Sequence, residues 1–192
     1  MISMPYPLRT PRLAISPLTT GDIPAFVAYR QDADVARWQG WDSSYNETDA
    51  DELIASQPTT ELPSSGGWLQ LAIRDPENGT LYGDIAIHAL DEFHDTFEIG
   101  VTLARSNQNR GIAREAVMRV LDHLFTSANA HRVTASCDTR NAPVTKLLTA
   151  VGMRKDSTET EVEFSKGEWI TLDSYAILKT ELLRSPDTVT QG

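Results

Sequence analysis

Ile99-Gly-Val-Thr-Leu103-Ala-Arg-Ser-Asn-Gln108-Asn-Arg-Gly111-Ile-Ala113 is the stretch on which the reading of this chain turns. The strand that leads into it, Phe97 to Leu103, alternates at the two-residue period. Beyond it, Ile112, Ala116, Val117, Val120, Leu121 and Leu124 fall on one face of a helix. A strand therefore runs through a tight polar loop into a long amphipathic helix. In that geometry the backbone N–H groups from Asn109 to Arg114 lack intrahelical partners, and the helix dipole adds positive potential. A diphosphate is a natural occupant. Gly111 and Ala113 are small enough for close approach of the phosphates, and Arg105, Arg110 and Arg114 add charge nearby. The Gly-Lys-Ser/Thr ending of a nucleotide P-loop and the third glycine of a dinucleotide fingerprint are both missing, which argues against those two ligand classes.

Working outward, Leu13 to Leu18 reads as a short edge strand, because Pro17 cannot donate to ladders on both sides. Thr19 to Asp22 caps a helix carrying Ile23, Phe26, Val27 and Arg30, and Asn46 with Asp49 opens a second that passes Leu53 and Ile54 and ends before Pro58. Between them Trp38 to Tyr45 is aromatic and aperiodic. Trp68–Ile73 and Leu81–His88 flank Asn78-Gly79, a hairpin signal. An acidic turn then leads to the strand from Phe97. After the long helix come a strand over Arg132–Cys137, a helix with Pro143 in its first turn that stops at Gly152, and a hairpin formed by Glu161–Phe164 and Trp169–Leu178 around Lys166-Gly167. This order predicts an α+β fold with a mixed sheet, in one domain spanning 1–184, followed by a frayed tail over 185–192.

The chain has 192 residues, enough for one well-buried core. No apolar run approaches the roughly 20 residues that cross a bilayer, and the opening Met1-Ile-Ser-Met-Pro-Tyr-Pro has neither the basic nor the apolar part of a secretory signal. Cys137 has no second cysteine to pair with, so a cytoplasmic location is expected. The net charge is −10 and unevenly spread: residues 1–100 hold five Lys/Arg against sixteen Asp/Glu, whereas residues 101–192 hold twelve against eleven. An acidic half repels nucleic acid and attracts cationic small molecules or basic peptides, while also serving solubility. Neither nucleic acid nor a membrane is an expected partner, and a homodimer is left open.

Gln108-x-x-Gly111-x-Ala113, placed between a strand and a helix, resembles the acyl-CoA pyrophosphate motif of the GNAT N-acetyltransferase superfamily. Thr10-Pro-Arg-Leu, Phe97-Glu-Ile-Gly, Gly111-Ile-Ala-Arg-Glu-Ala116, Asp138-Thr-Arg-Asn141 and Gly152-Met153 resemble more narrowly the branch that includes the ribosomal-protein N-terminal acetyltransferases. The resemblance covers about residues 8–180. It implies a GNAT fold with a mostly antiparallel sheet of about seven strands and about four helices, in which Phe97–Leu103 and Arg132–Cys137 splay apart. It also implies an N-acetyltransferase in which an amine attacks acetyl-CoA directly, without a metal. Backbone groups of Val101 and Leu103 would pair with the pantetheine arm. Gln108, Asn109, Arg110, Gly111, Ile112, Ala113 and Arg114 would hold the diphosphate, and Asn141 would bind pantetheine through its side-chain amide, although an Asn before Ala-Pro also suits a helix cap.

Amine acetylation needs a neutral amine, so a base is useful. The resemblance points to Glu98, with His88 as the second candidate. Relatives of the ribosomal type carry a Ser three residues after the Asn, where this chain has Val144. Thr145 lies about 100° further round the helix, and Tyr175 is another available hydroxyl. A thiolate with a pKa near 8.5 leaves tolerably without an acid. Trp38, Trp41 and Tyr45, with Asp42, would overhang the acceptor and suit a cationic amine, and they equally suit the packing of a loop onto the core. His88, His94, His123 and His131 show no metal-ligand spacing. Cys137 reads as a buried small residue and Glu115 as a structural carboxylate matched to the helix dipole. The acceptor stays open among a protein N-terminus, an antibiotic or polyamine, and a small metabolite. Two other readings of the whole chain are an acyl-CoA-binding sensor with little catalysis and a small-molecule binding module.

Overall fold

The computed structural model describes residues 6–63, 65–90 and 95–182. In chain order the elements are β1 (Leu8–Arg9), β2 (Ala14–Pro17), a 3₁₀ turn (Thr20–Asp22), α1 (Ile23–Arg30), α2 (Ala33–Ala36), α3 (Glu47–Ser56), β3 (Trp68–Arg74), β4 (Leu81–Ala89) and β5 (Thr96–Leu103). A second 3₁₀ turn (Arg105–Asn107) leads to α4 (Ile112–Thr126), β6 (Arg132–Asp138), α5 (Ala142–Ala150), β7 (Arg154–Ser165), β8 (Glu168–Leu178) and α6 (Lys179–Leu182). All eight strands belong to one sheet in the order β1-β2-β3-β4-β5-β6-β8-β7. Only β5 and β6 run parallel; the other neighbours are antiparallel. This is the mixed α+β architecture that the sequence predicts.

The differences have local causes. The sheet has eight strands rather than about seven because β1 is two residues long and too short to show a period. It pairs with β2, so β2 is not the edge; Pro17 lies beyond that pairing and opposes only Leu71 of β3. The single-turn helices α2 and α6 raise the helix count, and four residues cannot display an apolar face. β7 begins at Arg154 rather than Glu161, since its side chains are almost all exposed and give no apolar alternation. The acidic turn over 91–94 with His94, the opening Met1–Pro5 and the expected tail over 185–192 lie outside the described residues.

The sheet separates two apolar layers. Ile85, Ile87, Phe97 and Ile99 pack beneath Val117, Val120, Leu121 and Leu124 of α4 and Leu148 of α5. Each such buried side chain stabilises by about 1.5–3 kcal/mol, which fixes α4 against the sheet. Phe26 and Val27 of α1, with Ala50 of α3, cover Ala72 and Leu81 on the other layer. Asn46 caps α3, its Oδ1 accepting from Thr48 N at 2.9 Å, while Asp49 accepts from Asn46 N at 2.8 Å.

What positions the site is the parting of β5 from β6. Their ladder pairs Thr96 with Arg132, Phe97 with Val133 and Glu98 with Thr134, and then ends. From Ala135 to Asp138, β6 is paired only with β8, opposite Tyr175 to Leu172. The stretch from Ile99 to Leu103 therefore has β4 on one flank and a gap on the other.

Candidate functional site

Hydrogen bonding shows which backbone groups face that gap. Ala104 N donates to Tyr82 O (3.0 Å), and Thr96 O accepts from Leu90 N (3.1 Å), so the even-numbered residues of β5 bond β4. Phe97 O instead accepts from Thr134 Oγ1 across the ladder to β6, and Leu103 O accepts from Gln108 Nε2 at 3.2 Å. Ile99, Val101 and Leu103 consequently turn their N–H and C=O groups toward the gap. A cavity of about 500 Å³ opens there between Val101–Leu103, the start of α4 and Asn141, Val144 and Leu147.

The loop into α4 has Asn109 at φ +59° and Gly111 at φ +77°. These left-handed residues turn consecutive amides toward one side, a concavity suited to anions. The first α4 bond is Glu115 N to Gly111 O at 3.1 Å, and the N–H groups of Asn109, Arg110 and Gly111 make no hydrogen bond among the described residues. Ile112, Ala113 and Arg114 are the first helical turn, whose amides the helix itself leaves free. A Cβ on Gly111 would stand 3.3 Å from Arg12 NH2, in a backbone conformation that costs an L-residue about 1–2 kcal/mol.

Of the residues expected around the diphosphate, Gln108, Asn109, Gly111, Ile112, Ala113 and Arg114 line this cavity. Arg110 does not: its NH1 bonds Asn107 Oδ1 at 3.0 Å and its guanidinium lies 5.9 Å from the Tyr82 ring. Arg105 is ion-paired with Asp34. Lys146, which nothing in its local sequence marks, is a second cation on the wall beside Arg114. Asn141 is buried, lines the cavity and caps α5. Its Oδ1 accepts from Val144 N (3.4 Å) as the cap of α5, while its amide nitrogen has no partner among the described residues. Val144 brings no hydroxyl to the wall, and Thr145 Oγ1 is turned away, 3.9 Å from Cys137 Sγ. Tyr175 sits in the main core and lines neither cavity. Burial pushes the Cys137 thiol up, which leaves it unreactive.

A second cavity, of about 510 Å³, meets the first at Val101 and Gln39, which line both. Glu98 and Ser136 line it, with Trp41, Leu53, Gln57 and Trp68 around them. The register places Trp68, His88 and Glu98 side by side across β3, β4 and β5. The His88 ring stacks on Trp68 (4.2 Å between centroids, 7° between planes), and its Nδ1 lies 3.5 Å from Glu98 Oε2 without making a hydrogen bond. The two candidate bases are thus one cross-strand pair. Counting outward from a two-residue Asn78-Gly79 turn would pair Trp68 with Ala89; the structure instead closes the turn between Asp75 and Thr80 and carries an irregularity at Ile73/Arg74, so this row shows only in the structure.

The three aromatic residues expected over the acceptor divide. Trp41 lines the second cavity, but its ring carries the Arg30 guanidinium at 3.7 Å. Trp38 lines the first cavity instead. Tyr45 lines neither, because it packs edge-on against Phe26 in the α1–α3 layer. Beneath the second cavity Arg30 lies 3.6 Å from the Asp84 carboxylate, which also accepts from the Tyr29 hydroxyl and the Gln70 amide. Burial raises the Asp84 pKa, and the nearby Arg30 charge only partly offsets it. Lys166, at the β7–β8 turn, donates to the carbonyls of Ala36 and Gln39 and so ties down the loop that lines both cavities.

A mixed sheet whose one parallel pair splays beside a free-amide loop defines the acyltransferase class of the resemblance. Residues 12–154 match the Acetyltransferase (GNAT) domain family, and the chain belongs to it. The uncharacterized N-acetyltransferase p20 of Bacillus licheniformis is 27% identical over 174 residues, covering 91% of this chain and 97% of its own length. An acetyltransferase (GNAT family) of Bacillus anthracis superposes with a TM-score of 0.79 at 25% identity, covering 90% of this chain and 98% of its own. The spermidine N-acetyltransferase of Vibrio cholerae, solved with CoA and spermine, gives 0.77 at 18% identity over 91% of this chain and 100% of its own, a likeness of fold. Among the described residues no helix is long and apolar enough to cross a membrane.

Proposed function

We propose that this protein is an acetyl-CoA-dependent N-acetyltransferase in which a primary amine attacks the thioester directly. The observation that carries the reading is the meeting of the two cavities at Val101. On the donor side, the free amides of the Asn109–Arg114 loop receive the diphosphate, with Arg114 and Lys146 beside it. Pantetheine runs along the gap against Val101, with the Asn141 amide as a further contact; Leu103 contributes less, since its carbonyl already accepts from Gln108. On the acceptor side, Glu98 takes the ammonium proton, directly or through one water, with His88 against it. The neutral amine nitrogen bonds the acetyl carbon, the C–S bond breaks, CoA leaves as the thiolate, and the excess proton left on nitrogen passes to solvent or to that thiolate.

Glu98 and the acidic first half of the chain favour a cationic acceptor. Thr10-Pro-Arg-Leu and the Asn141 segment favour the ribosomal N-terminal branch, whereas Val144 in place of that branch's Ser argues against it and equally supports the reading of an acyl-CoA sensor with little turnover. Titration with acetyl-CoA, followed by CoA release over peptides, polyamines and small monoamines, tests all of these. Saturable binding with amine-dependent CoA release is the expected result. Binding without release from any amine establishes the sensor, and absence of binding removes the whole proposal.

A further inference from the structure

The motif Thr10-Pro-Arg-Leu has no part in the chemistry above, yet the structure gives its side chains an unusual set of contacts. Glu115 stands in the first turn of α4, at the end that offers free amides. Both of its oxygens are taken by the motif. Oε1 accepts from the Thr10 hydroxyl and from Arg12 N (3.2 Å); Oε2 accepts from Arg12 Nε (2.7 Å) and NH2 (2.6 Å). These bonds outweigh the effect of burial and hold the Glu115 carboxyl below its usual range. Thr10 Oγ1 also accepts from Leu13 N at 3.0 Å, which closes the turn that aims Arg12.

The remaining Arg12 nitrogen, NH1, donates to Arg110 O at 3.2 Å, and NH2 lies against Gly111. In a trans peptide, C=O and N–H point in opposite directions. Holding the Arg110 carbonyl on the Arg12 side therefore turns the Gly111 N–H to the other side. Gly111 lines the donor cavity. The guanidinium thus orients one amide of the anion-binding loop and offsets the charge of the Glu115 carboxylate in the first turn of the same helix. The Arg12 side chain is more than half exposed, and ion pairs so exposed contribute little to folding.

We propose that Arg12 is a positioning residue for the diphosphate of acetyl-CoA, acting by aiming the Gly111 amide and by screening Glu115. The proposal rests on the reading of the first cavity as the donor site. Arg12→Gln, Glu115→Gln and the double variant test it, with S-acetylpantetheine, which lacks the diphosphate, as a second donor. Arg12→Gln raises the KM for acetyl-CoA about tenfold, the size of one uncompensated charge at near-surface dielectric, with kcat at saturation within about twofold. Glu115→Gln alone leaves KM unchanged or lowers it. The double variant recovers most of the loss, because the charge left unscreened has been removed. S-acetylpantetheine shows no difference among the four proteins. An unchanged acetyl-CoA KM in Arg12→Gln overturns the proposal. So does a fall in melting temperature with kcat reduced for both donors and no recovery in the double variant, the pattern of a purely structural brace. If unaltered protein fails to bind acetyl-CoA, the donor-site reading falls, and this proposal with it.

Discussion

Glu98→Gln keeps the shape of the side chain and its place beside His88 but removes proton acceptance. The structure sets what the change should do. Glu98 is 27% exposed in its side chain, lines the second cavity and is the cross-strand neighbour of His88, with no other contact shown to hold its carboxylate. The variant should fold normally and bind acetyl-CoA as before, since the donor-side loop lies beyond the far end of the strand. Its turnover at pH 7 should fall by about 10²–10⁴, the usual contribution of a general base. An acceptor α-amine with pKa near 8 is about one-tenth neutral at pH 7 and almost wholly neutral at pH 9.5. The variant acts only on the neutral fraction, so its deficit should shrink by about tenfold across that interval; a lysine-like amine should show a larger recovery displaced to higher pH. The assay is CoA release at saturating acetyl-CoA, with a full pH profile for both proteins. Wild-type turnover in the variant at every pH would remove Glu98 from the mechanism. A raised acceptor KM with unchanged kcat would reassign it to attracting the cation, leaving His88 or water as the base.

Two further changes probe other parts of the structure. Gly111→Ala puts a Cβ 3.3 Å from Arg12 NH2 at φ +77°. It should cost about 1–2 kcal/mol in folding and weaken acetyl-CoA binding at least tenfold by calorimetry, about 1.4 kcal/mol or more; unchanged affinity would place the phosphates elsewhere. Arg30→Met leaves Asp84 buried without its cation and should cost about 3–5 kcal/mol, seen as a melting point lower by about 10 °C. Burial already raises the folded pKa of Asp84 above its unfolded value, and losing Arg30 raises it further. The folded state then binds the proton more tightly than the unfolded one, so the variant's stability relative to the unaltered protein should fall as pH rises above the ordinary aspartate range, a comparison made at pH 5 and pH 8. The same melting-point difference at both pH values would refute that account.

The legible parts of this chain were those written in periodicity and in special residues. The seven apolar positions from Ile112 to Phe125 that α4 buries in the core could sit on no other element of that length, and Gly111, Pro143 and Gly152 marked the ends of helices. The splayed pair came from resemblance rather than periodicity, because a gap between strands leaves no mark on either strand's pattern. The same holds for the loop aromatics. Trp38 and Trp41 are three residues apart, yet they face different cavities, and that division depends on Lys166 holding the Gln39 carbonyl from 127 positions away. Buried charge was also invisible. Asp84 looks like an ordinary strand acid until Arg30, Tyr29 and Gln70 are seen to converge on it.

The missing hydroxyl at Val144 bears on where catalysis has to be strong. The reaction needs the first ammonium proton removed before attack, whereas the second leaves an acidic adduct readily and the sulfur tolerates receiving none, because these events differ in difficulty. A thiol with pKa near 8.5 is a fair leaving group as the thiolate at neutral pH. An alkylammonium near pKa 10 has a neutral fraction of about one in a thousand at pH 7. Losing the acid is therefore the smaller penalty and losing the base the larger. The structure is asymmetric in the same sense. In the first cavity, the proposed donor side, the wall at the family's acid position is the apolar Val144, and Thr145 and Tyr175 are both directed elsewhere. On the proposed acceptor side Glu98, His88 and Trp68 stand in register on three adjacent strands. A row fixed by sheet pairing needs no loop to order before it works, and on the proposed reading that row is where the harder proton transfer takes place.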